Sequence, residues 1–227
     1  MTIVERIKEN SEENLRLFNA KLVPTVKPER ILGVRSPKLK ALAKEIYGSE
    51  EANIFLSQTP HFYFEENNLH GFLLGCIKDI NKALALTEEF LPFVDNWATN
   101  DLTAMGLKCF SKNTAIVRPY AEKWTGDVRP FVVRFGVVCL LSYFLGDAFE
   151  QSDFDLLAGI KIKDDYYVDM AVAWYLSVAL VKKYDLAVMA LKENRFGARV
   201  HNKAIRKAVE SFRIDDEKKS FLRTLKR

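Results

Sequence analysis

The sequence predicts an all-α protein: an α-solenoid (α-α superhelix) of stacked helix pairs that forms a single domain over residues 1–227. Apolar residues recur with helical periodicity, and no segment alternates apolar and polar residues as a half-buried strand does. Small residues also recur at a nearly fixed spacing, which is typical of repeat proteins. Ten glycines and seven prolines leave little material for the tight turns of a β-sandwich or barrel. An irregular helical bundle stays open as the alternative architecture.

Apolar spacing predicts helices along nearly the whole chain. The first covers 3–22 and is followed by a loop over 23–35 that contains two prolines and a glycine. Ser36 is the predicted N-cap of the next helix, with Pro37 at its first position and 38–47 as its body. The further predicted helices are 49–57, 62–79, 81–91, 97–109, 112–124, 128–145, 152–160, 165–184, 186–194, 199–212 and 215–226.

Small residues in the middle of the more apolar helices define the repeat. They stand 31 to 37 residues apart, at Gly71, Ala104, Gly136, Ala173 and Ala204. A shorter, more amphipathic helix precedes each of these helices. One helix pair of this length cannot bury its apolar face alone, so successive pairs must stack. The units resemble each other only weakly, which indicates degenerate HEAT-like pairing rather than a regular consensus array.

Composition and charge exclude several classes of protein. The start of the chain has no apolar leader with a cleavage site, and the longest apolar run, 135–145, is far shorter than a membrane span. Cys76, Cys109 and Cys139 lack metal-ligand or redox spacing and are interpreted as reduced core thiols. We therefore expect a cytoplasmic protein without membrane association. The net charge of +4 permits nucleic-acid binding without requiring it.

Trp97 and Asp101 form the first candidate site. They stand four residues apart near a predicted helix start, so the indole and the carboxylate share one helical face. Asp95 is the predicted N-cap, which puts Asp101 within the first two turns. The alternative is that Trp97 belongs to the core and that Asp101 is a surface carboxylate or a partner of the helix dipole.

Arg134 and Trp174 are the next candidates. Arg134 interrupts the apolar run 131–138, and because an unpaired buried guanidinium is costly, it must reach a carboxylate, a phosphate or solvent. Asp101 on the preceding repeat is a natural partner if the helices stack in order. In a solenoid, Trp97, Arg134 and Trp174 would then follow one ridge. The alternatives are a salt bridge between repeats for Arg134 and a core position for Trp174.

A basic stretch in the last repeat suits contact with phosphate groups. Its members are Arg199, His201, Lys203, Arg206 and Lys207. The alternative is a solvated capping helix. The three histidines lack metal-ligand spacing and no glycine-rich phosphate loop is present, so we expect neither a metal nor a cofactor.

Several segments in a fixed order carry a family resemblance. They are Ile31–Pro37, Val94–Asp101, Val132–Gly136, Tyr166–Tyr167 with Ala173–Tyr175, His201–Ala204 and Phe221–Lys226. Over nearly its whole length the chain resembles the HEAT-like-repeat DNA alkylation repair family, the AlkD-type DNA glycosylases. The resemblance implies a helical-repeat fold and a partner, double-stranded DNA with alkylated bases. We expect a monomer that works without a cofactor.

The resemblance also implies site residues and a reaction. Family members remove cationic bases such as 3-methyladenine and 7-methylguanine from duplex DNA, with a carboxylate that stabilises an oxocarbenium-like transition state. Matched one at a time, the family's first Trp resembles Trp97, its catalytic Asp resembles Asp101, its Arg resembles Arg134 and its distal Trp resembles Trp174. The basic stretch that begins at Arg199 is expected to contact the DNA backbone.

Two positions depart from the family pattern. A tyrosine found in better-characterised members is missing from the matching stretch, Leu22–Thr25, and Ser177 stands where a basic residue can follow the distal Trp. A second hypothesis is therefore a non-catalytic HEAT-like protein that recognises distorted or branched DNA. A protein-binding solenoid is the third.

Overall fold

The computed structural model describes residues 1–227 and is all-helical, with 14 α-helices and no β-strand, which confirms the predicted fold class. The chain divides into two compact units, residues 1–113 and 114–227. No helix in either unit is long and apolar enough to cross a membrane.

The first unit contains seven α-helices. They are α1 (Ile3–Lys8), α2 (Glu13–Leu22), α3 (Ser36–Ile46), α4 (Glu50–Ser57), α5 (Phe64–Leu74), α6 (Ile80–Phe90) and α7 (Trp97–Gly106). Short 3-10 turns lie at Pro28–Arg30, Leu91–Phe93 and Lys108–Lys112. Helices α3, α5 and α7 pack side by side as a row, and α4 and α6 lie against α5. Helix α5 is therefore the centre of this unit, and nearly all of its residues are buried.

A close approach of α5 to α7 depends on a small residue at the repeat position. A Cβ atom at Gly71 would overlap Thr103 Oγ1 and lie 2.8 Å from Leu102 Cδ1, both on α7. One turn later a Cβ atom at Gly75 would lie 2.9 Å from the carbonyl oxygen of Gly106. Gly71 thus marks a point where neighbouring helices of this row touch.

Replacing Gly71 by alanine is expected to destabilise the protein despite alanine's better helix propensity. Overpacking a well-filled contact costs about 1–3 kcal/mol, which exceeds the propensity gain of roughly 1 kcal/mol. Gly106→Ala is the matched control, because a Cβ atom there meets no atom within 4 Å. Urea unfolding should show a lower midpoint for Gly71→Ala only. Equal midpoints for the two variants would contradict the close approach.

The second unit also contains seven α-helices. They are α8 (Thr114–Thr125), α9 (Pro130–Cys139), α10 (Ser152–Ala158), α11 (Tyr166–Lys182), α12 (Tyr184–Lys192), α13 (Ala198–Val209) and α14 (Asp216–Thr224). Helices α9, α11 and α13 form a row, with α8 packed on α9, α12 on α11 and α14 on α13. Each unit thus repeats one plan, a row of helices with further helices packed against it.

The repeat residues of the second unit lie at buried positions of this row. A Cβ atom at Gly136 would lie 2.7 Å from the backbone nitrogen of Thr125, so glycine allows α8 and α9 to touch. Ala173 on α11 and Ala204 on α13 are fully buried. The spacing seen in the sequence therefore has a physical cause in both units.

Three details of the predicted elements are wrong. The stretch 3–22 is two helices, because the backbone N–H of Glu12 donates to the carbonyl of Gly33 (2.9 Å) instead of continuing the first helix. Ser36 is not the N-cap but the first residue of α3. The N-cap is Arg35, and its side chain makes no capping hydrogen bond. The predicted helix 128–145 is α9 followed by a π-helical turn at Leu140–Phe144.

The predicted core thiols are largely confirmed. Cys109 and Cys139 are buried, whereas Cys76 is partly buried, and none of the three forms a disulfide. Burial raises the pKa of the Cys139 thiol well above its usual range. This thiol therefore stays protonated and unreactive at neutral pH.

Two histidines pair inside the first unit. His61 Nε2 lies 2.9 Å from His70 Nδ1, and the rings stack on phenylalanines, His61 on Phe55 at 4.3 Å between centroids and His70 on Phe90 at 3.9 Å. Both histidines are buried. Burial lowers the pKa of His61 to about 4 and that of His70 to about 3, so both rings are neutral at physiological pH.

Candidate functional site

Helix α7 carries Trp97 and Asp101 one turn apart. Its N-cap is Asn96, whose side-chain oxygen accepts from the backbone N–H of Thr99 (2.9 Å). The prediction that Asp95 caps this helix is wrong. The Asp95 carboxylate instead binds the guanidinium of Arg30 at 2.8 Å, and this salt bridge holds the preceding loop in place.

Trp97 is fixed along one edge and partly exposed along the other. Its Nε1–H donates to the carbonyl oxygen of Leu22 at the end of α2 (3.0 Å). The indole also packs against a small apolar cluster made of Val23, Val26, Ile31 and Phe64. Trp97 therefore contributes to the core, as one interpretation of the sequence held, but it is not fully enclosed by it. Its remaining surface is available to a ligand.

Asp101 lies on a largely buried, polar side of α7. The residue is 9% exposed, and its neighbours Thr99 and Asn100 are fully buried. The Thr99 hydroxyl donates to the side-chain oxygen of Asn68 on α5 (2.7 Å), which fixes this part of the helix. A carboxylate with so little solvent around it interacts more strongly with a nearby positive charge than an exposed one does.

Glu65 is a structural residue of this unit that the sequence interpretation missed. It is fully buried at the start of α5, and its carboxylate accepts the backbone N–H groups of Leu32 (2.9 Å), Gly33 (2.7 Å) and Val34 (3.3 Å). Burial raises the pKa of Glu65, and the three hydrogen bonds oppose that shift. Glu65 thereby orders the loop that precedes α3. Little in the sequence singled it out, because Glu66 beside it is also acidic and acidic residues are common in the first turn of a helix.

Arg134 on α9 is 6% exposed and does have a partner, as its burial required. Its Nη1–H donates to the carbonyl oxygen of Tyr167 in the first turn of α11 (2.8 Å). The Phe131 and Tyr167 rings contact each other beside it, with centroids 5.1 Å apart. Arg134 therefore joins α9 to the start of α11. Its pairing with Asp101 stays a prediction.

Two cavities lie between α11 and α13, and together we call them the α11–α13 groove. The first has a volume of about 340 Å³, and its lining includes Tyr166, Asp169, Met170, Arg199, Lys203 and Arg206. A second cavity of about 300 Å³ has a lining that includes Trp174, Ser177, Val181, Lys207, Glu210 and Arg213. The structure thus brings the predicted Trp174 together with Lys207, and three more predicted residues of the basic stretch, Arg199, Lys203 and Arg206, line the other cavity.

Each helix contributes one kind of chemistry to the α11–α13 groove. Tyr166, Met170 and Trp174 follow one another at four-residue intervals on α11 and supply apolar and aromatic surface. Four basic side chains stand on α13, namely Arg199, Lys203, Arg206 and Lys207. Of these, Arg199 forms salt bridges with Asp169 and, at 3.8 Å, with Asp164. A groove with an aromatic side and a cationic side suits a nucleic-acid strand.

Two further positions behave as structural residues. Ser177 is buried and its hydroxyl donates to the carbonyl oxygen of Trp174 (2.7 Å). The prediction that His201 contacts DNA is wrong in this structure. His201 is 2% exposed, and its Nε2 lies 2.7 Å from the carbonyl oxygen of Leu225. Its place on the inner face of α13 leaves no surface for a phosphate.

The geometry of the two units offers no cluster of three or more His, Cys, Asp or Glu side chains that could hold a metal ion. Comparison with curated proteins gives no match. The family model described as DNA alkylation repair enzyme matches residues 3–212. Because that match spans most of the chain, this protein belongs to the DNA alkylation repair enzyme family.

Proposed function

We propose that this protein is a monofunctional DNA glycosylase that excises cationic alkylpurines, such as 3-methyladenine and 7-methylguanine, from duplex DNA. The observation that carries the proposal is Asp101, a carboxylate with 9% exposure that stands one turn after a partly exposed tryptophan, Trp97. Membership of the DNA alkylation repair enzyme family supports the same substrate class.

The proposed chemistry needs a carboxylate but no general acid. An alkylated purine already carries a positive charge, so its glycosidic bond breaks with the electron pair leaving on a neutral base. The deoxyribose then gains oxocarbenium character, and the negative charge of Asp101 stabilises it. Water adds at C1′ and loses its proton to solvent. This role is electrostatic, and a mostly desolvated carboxylate performs it better than an exposed one.

The remaining predicted residues take binding roles in this proposal. The indole of Trp97 contacts the cationic nucleotide, and this cation–π contact is worth about 0.5–2 kcal/mol. The indole of Trp174 contacts DNA from the second unit. Arg134 contacts a phosphate, with its bond to Tyr167 orienting the guanidinium. Arg199, Lys203, Arg206 and Lys207 contact the DNA backbone from α13.

The direct test is release of free base from a defined duplex with one 7-methylguanine or 3-methyladenine. Base release is followed by chromatography, and the abasic site by strand cleavage in mild alkali. We expect release by the wild-type protein well above the spontaneous loss measured without protein. Release at the spontaneous rate for both lesions would overturn the proposal.

A second function is supported by the α11–α13 groove and by the missing tyrosine at Leu22–Thr25. In this alternative the protein binds distorted or branched DNA through aromatic and cationic side chains and releases no base. The same assay separates the two functions when it is paired with a binding titration. Salt-dependent DNA binding without base release would favour the alternative.

A further inference from the structure

Tyr166 keeps most of its ring in solvent, although tyrosine normally buries much of its apolar surface. Its exposed fraction is 64%. The ring is held edge-on against Tyr167, with centroids 5.2 Å apart, and Tyr167 in turn contacts Phe131. Tyr166 is therefore a supported aromatic surface at the first position of α11, and its exposed area is open to a planar ligand.

The cavity beside Tyr166 has the size and charge of a binding site for a nucleotide. Its volume of about 340 Å³ lies at the lower end of the range typical of small-molecule sites. Three cations, Arg199, Lys203 and Arg206, stand against one carboxylate, that of Asp169. The carboxylate is held by Arg199. Lys203 and Arg206 form no salt bridge with an acidic side chain, so their charges remain for an anion.

An aromatic surface and two cations together select one class of ligand. Lys203 and Arg206 suit a phosphate, and the Tyr166 ring suits the face of a base. Inside a duplex both faces of an internal base are covered by its neighbours, whereas an unpaired nucleotide offers such a face. We infer that the Tyr166 end of the α11–α13 groove binds one unpaired nucleotide of DNA. Its base stacks on Tyr166 and its phosphate is held by Lys203 and Arg206.

This inference rests on the proposed action on DNA, and it concerns a different nucleotide from the one that loses its base. The excised base is assigned to Asp101 and Trp97, whereas the unpaired nucleotide is assigned to Tyr166. The protein would therefore favour lesions next to a gap, a frayed end or a single-stranded overhang.

The test compares a blunt duplex with the same duplex carrying a short overhang whose first unpaired base is 2-aminopurine. Anisotropy titrations should show that wild type binds the overhang duplex about fivefold or more tightly, which corresponds to stacking of one base on an aromatic ring. The fluorescence of 2-aminopurine should fall on binding. Tyr166→Phe should keep both effects, and Tyr166→Ala should lose them.

Two further variants complete the design. Tyr47→Ala removes another exposed tyrosine, from the first unit, and should leave the preference for the overhang unchanged. Lys203→Gln should weaken binding to the overhang duplex. It should also reduce the slope of log affinity against log salt concentration by about one. Circular dichroism establishes that each variant is folded.

The outcomes separate this inference from the proposed function. Equal affinity of wild type for the two duplexes, or an unchanged preference in Tyr166→Ala, overturns the inference even when base release is normal. A preference that depends on Tyr166, in a protein that releases no base, supports the inference and removes the glycosylase proposal alone.

Discussion

Replacing Asp101 by asparagine is expected to slow base release on the order of 100-fold or more at saturating protein. Asparagine keeps the size and the hydrogen-bonding capacity of the side chain but removes the negative charge. The transition state gains positive charge on the sugar while the bound substrate carries its charge on the base. The loss should therefore fall on the rate of the chemical step and leave the affinity for DNA nearly unchanged.

Asp95→Asn is the matched control for this variant. Asp95 lies six residues earlier and its carboxylate is used in a salt bridge with Arg30, so its neutralisation should change excision little. Single-turnover rates with both variants decide the assignment. A rate for Asp101→Asn within a few-fold of wild type would remove the carboxylate from the mechanism.

The protein is expected to lose stability steeply between pH 6.5 and about pH 4.5 because of the pair His61 and His70. Their pKa values in the folded state, about 4 and about 3, lie below the ordinary value near 6.5. In this pH range the unfolded chain binds protons that the folded protein excludes, so the free energy of unfolding falls as pH falls. The pair should remove about 4 kcal/mol by pH 4.5.

The double variant His61→Phe with His70→Phe isolates this contribution. Replacing both members of a buried hydrogen-bonded pair by apolar groups of similar shape costs little, and His70 Nε2 has no partner to lose. The variant should be about as stable as wild type at pH 7 and clearly more stable at pH 4.5. Urea unfolding at the two pH values measures this. Parallel stability–pH curves for variant and wild type would show that the pair does not control acid sensitivity.

The helical rows could be predicted because close packing leaves a trace in the sequence. Gly71 and Gly136 are small since a neighbouring helix occupies the space of a side chain. Small buried residues recur once in each repeat, also at Ala104, Ala173 and Ala204, so their spacing is visible without a structure. Helix boundaries were harder to predict from the sequence, because they depend on hydrogen bonds to residues far away in the chain. The break before α2 comes from a hydrogen bond between Glu12 and Gly33, 21 residues apart.

The candidate site was predictable to the extent that helix geometry decides which residues share a face. Arg199, Lys203 and Arg206 are spaced by four and three residues and do line one groove. His201 falls between them, and the same spacing puts it with the buried Ala204 and Ala208. Helical periodicity alone could therefore have separated His201 from the basic stretch. Grouping residues only by their basic character could not make that separation.

Partnerships made by the main chain were beyond prediction from residue types. The Glu65 carboxylate is held by backbone N–H groups, and Arg134 donates to a backbone carbonyl. Nearly every residue carries the same backbone groups, so a residue type in the sequence does not reveal such a partner. The sequence could indicate that Arg134 needs a partner, but it could not name Tyr167.

The bond between the Trp97 indole and the carbonyl oxygen of Leu22 has a consequence for how this chain tolerates mutation. Every amino acid supplies that same carbonyl, so position 22 can change its side chain without loss of the acceptor. Selection on the orientation of the indole therefore places little constraint on the residue type there. Position 22 is thus free to change its side chain while the neighbouring aromatic ring keeps its position, whereas Val23, which packs against the indole, is not.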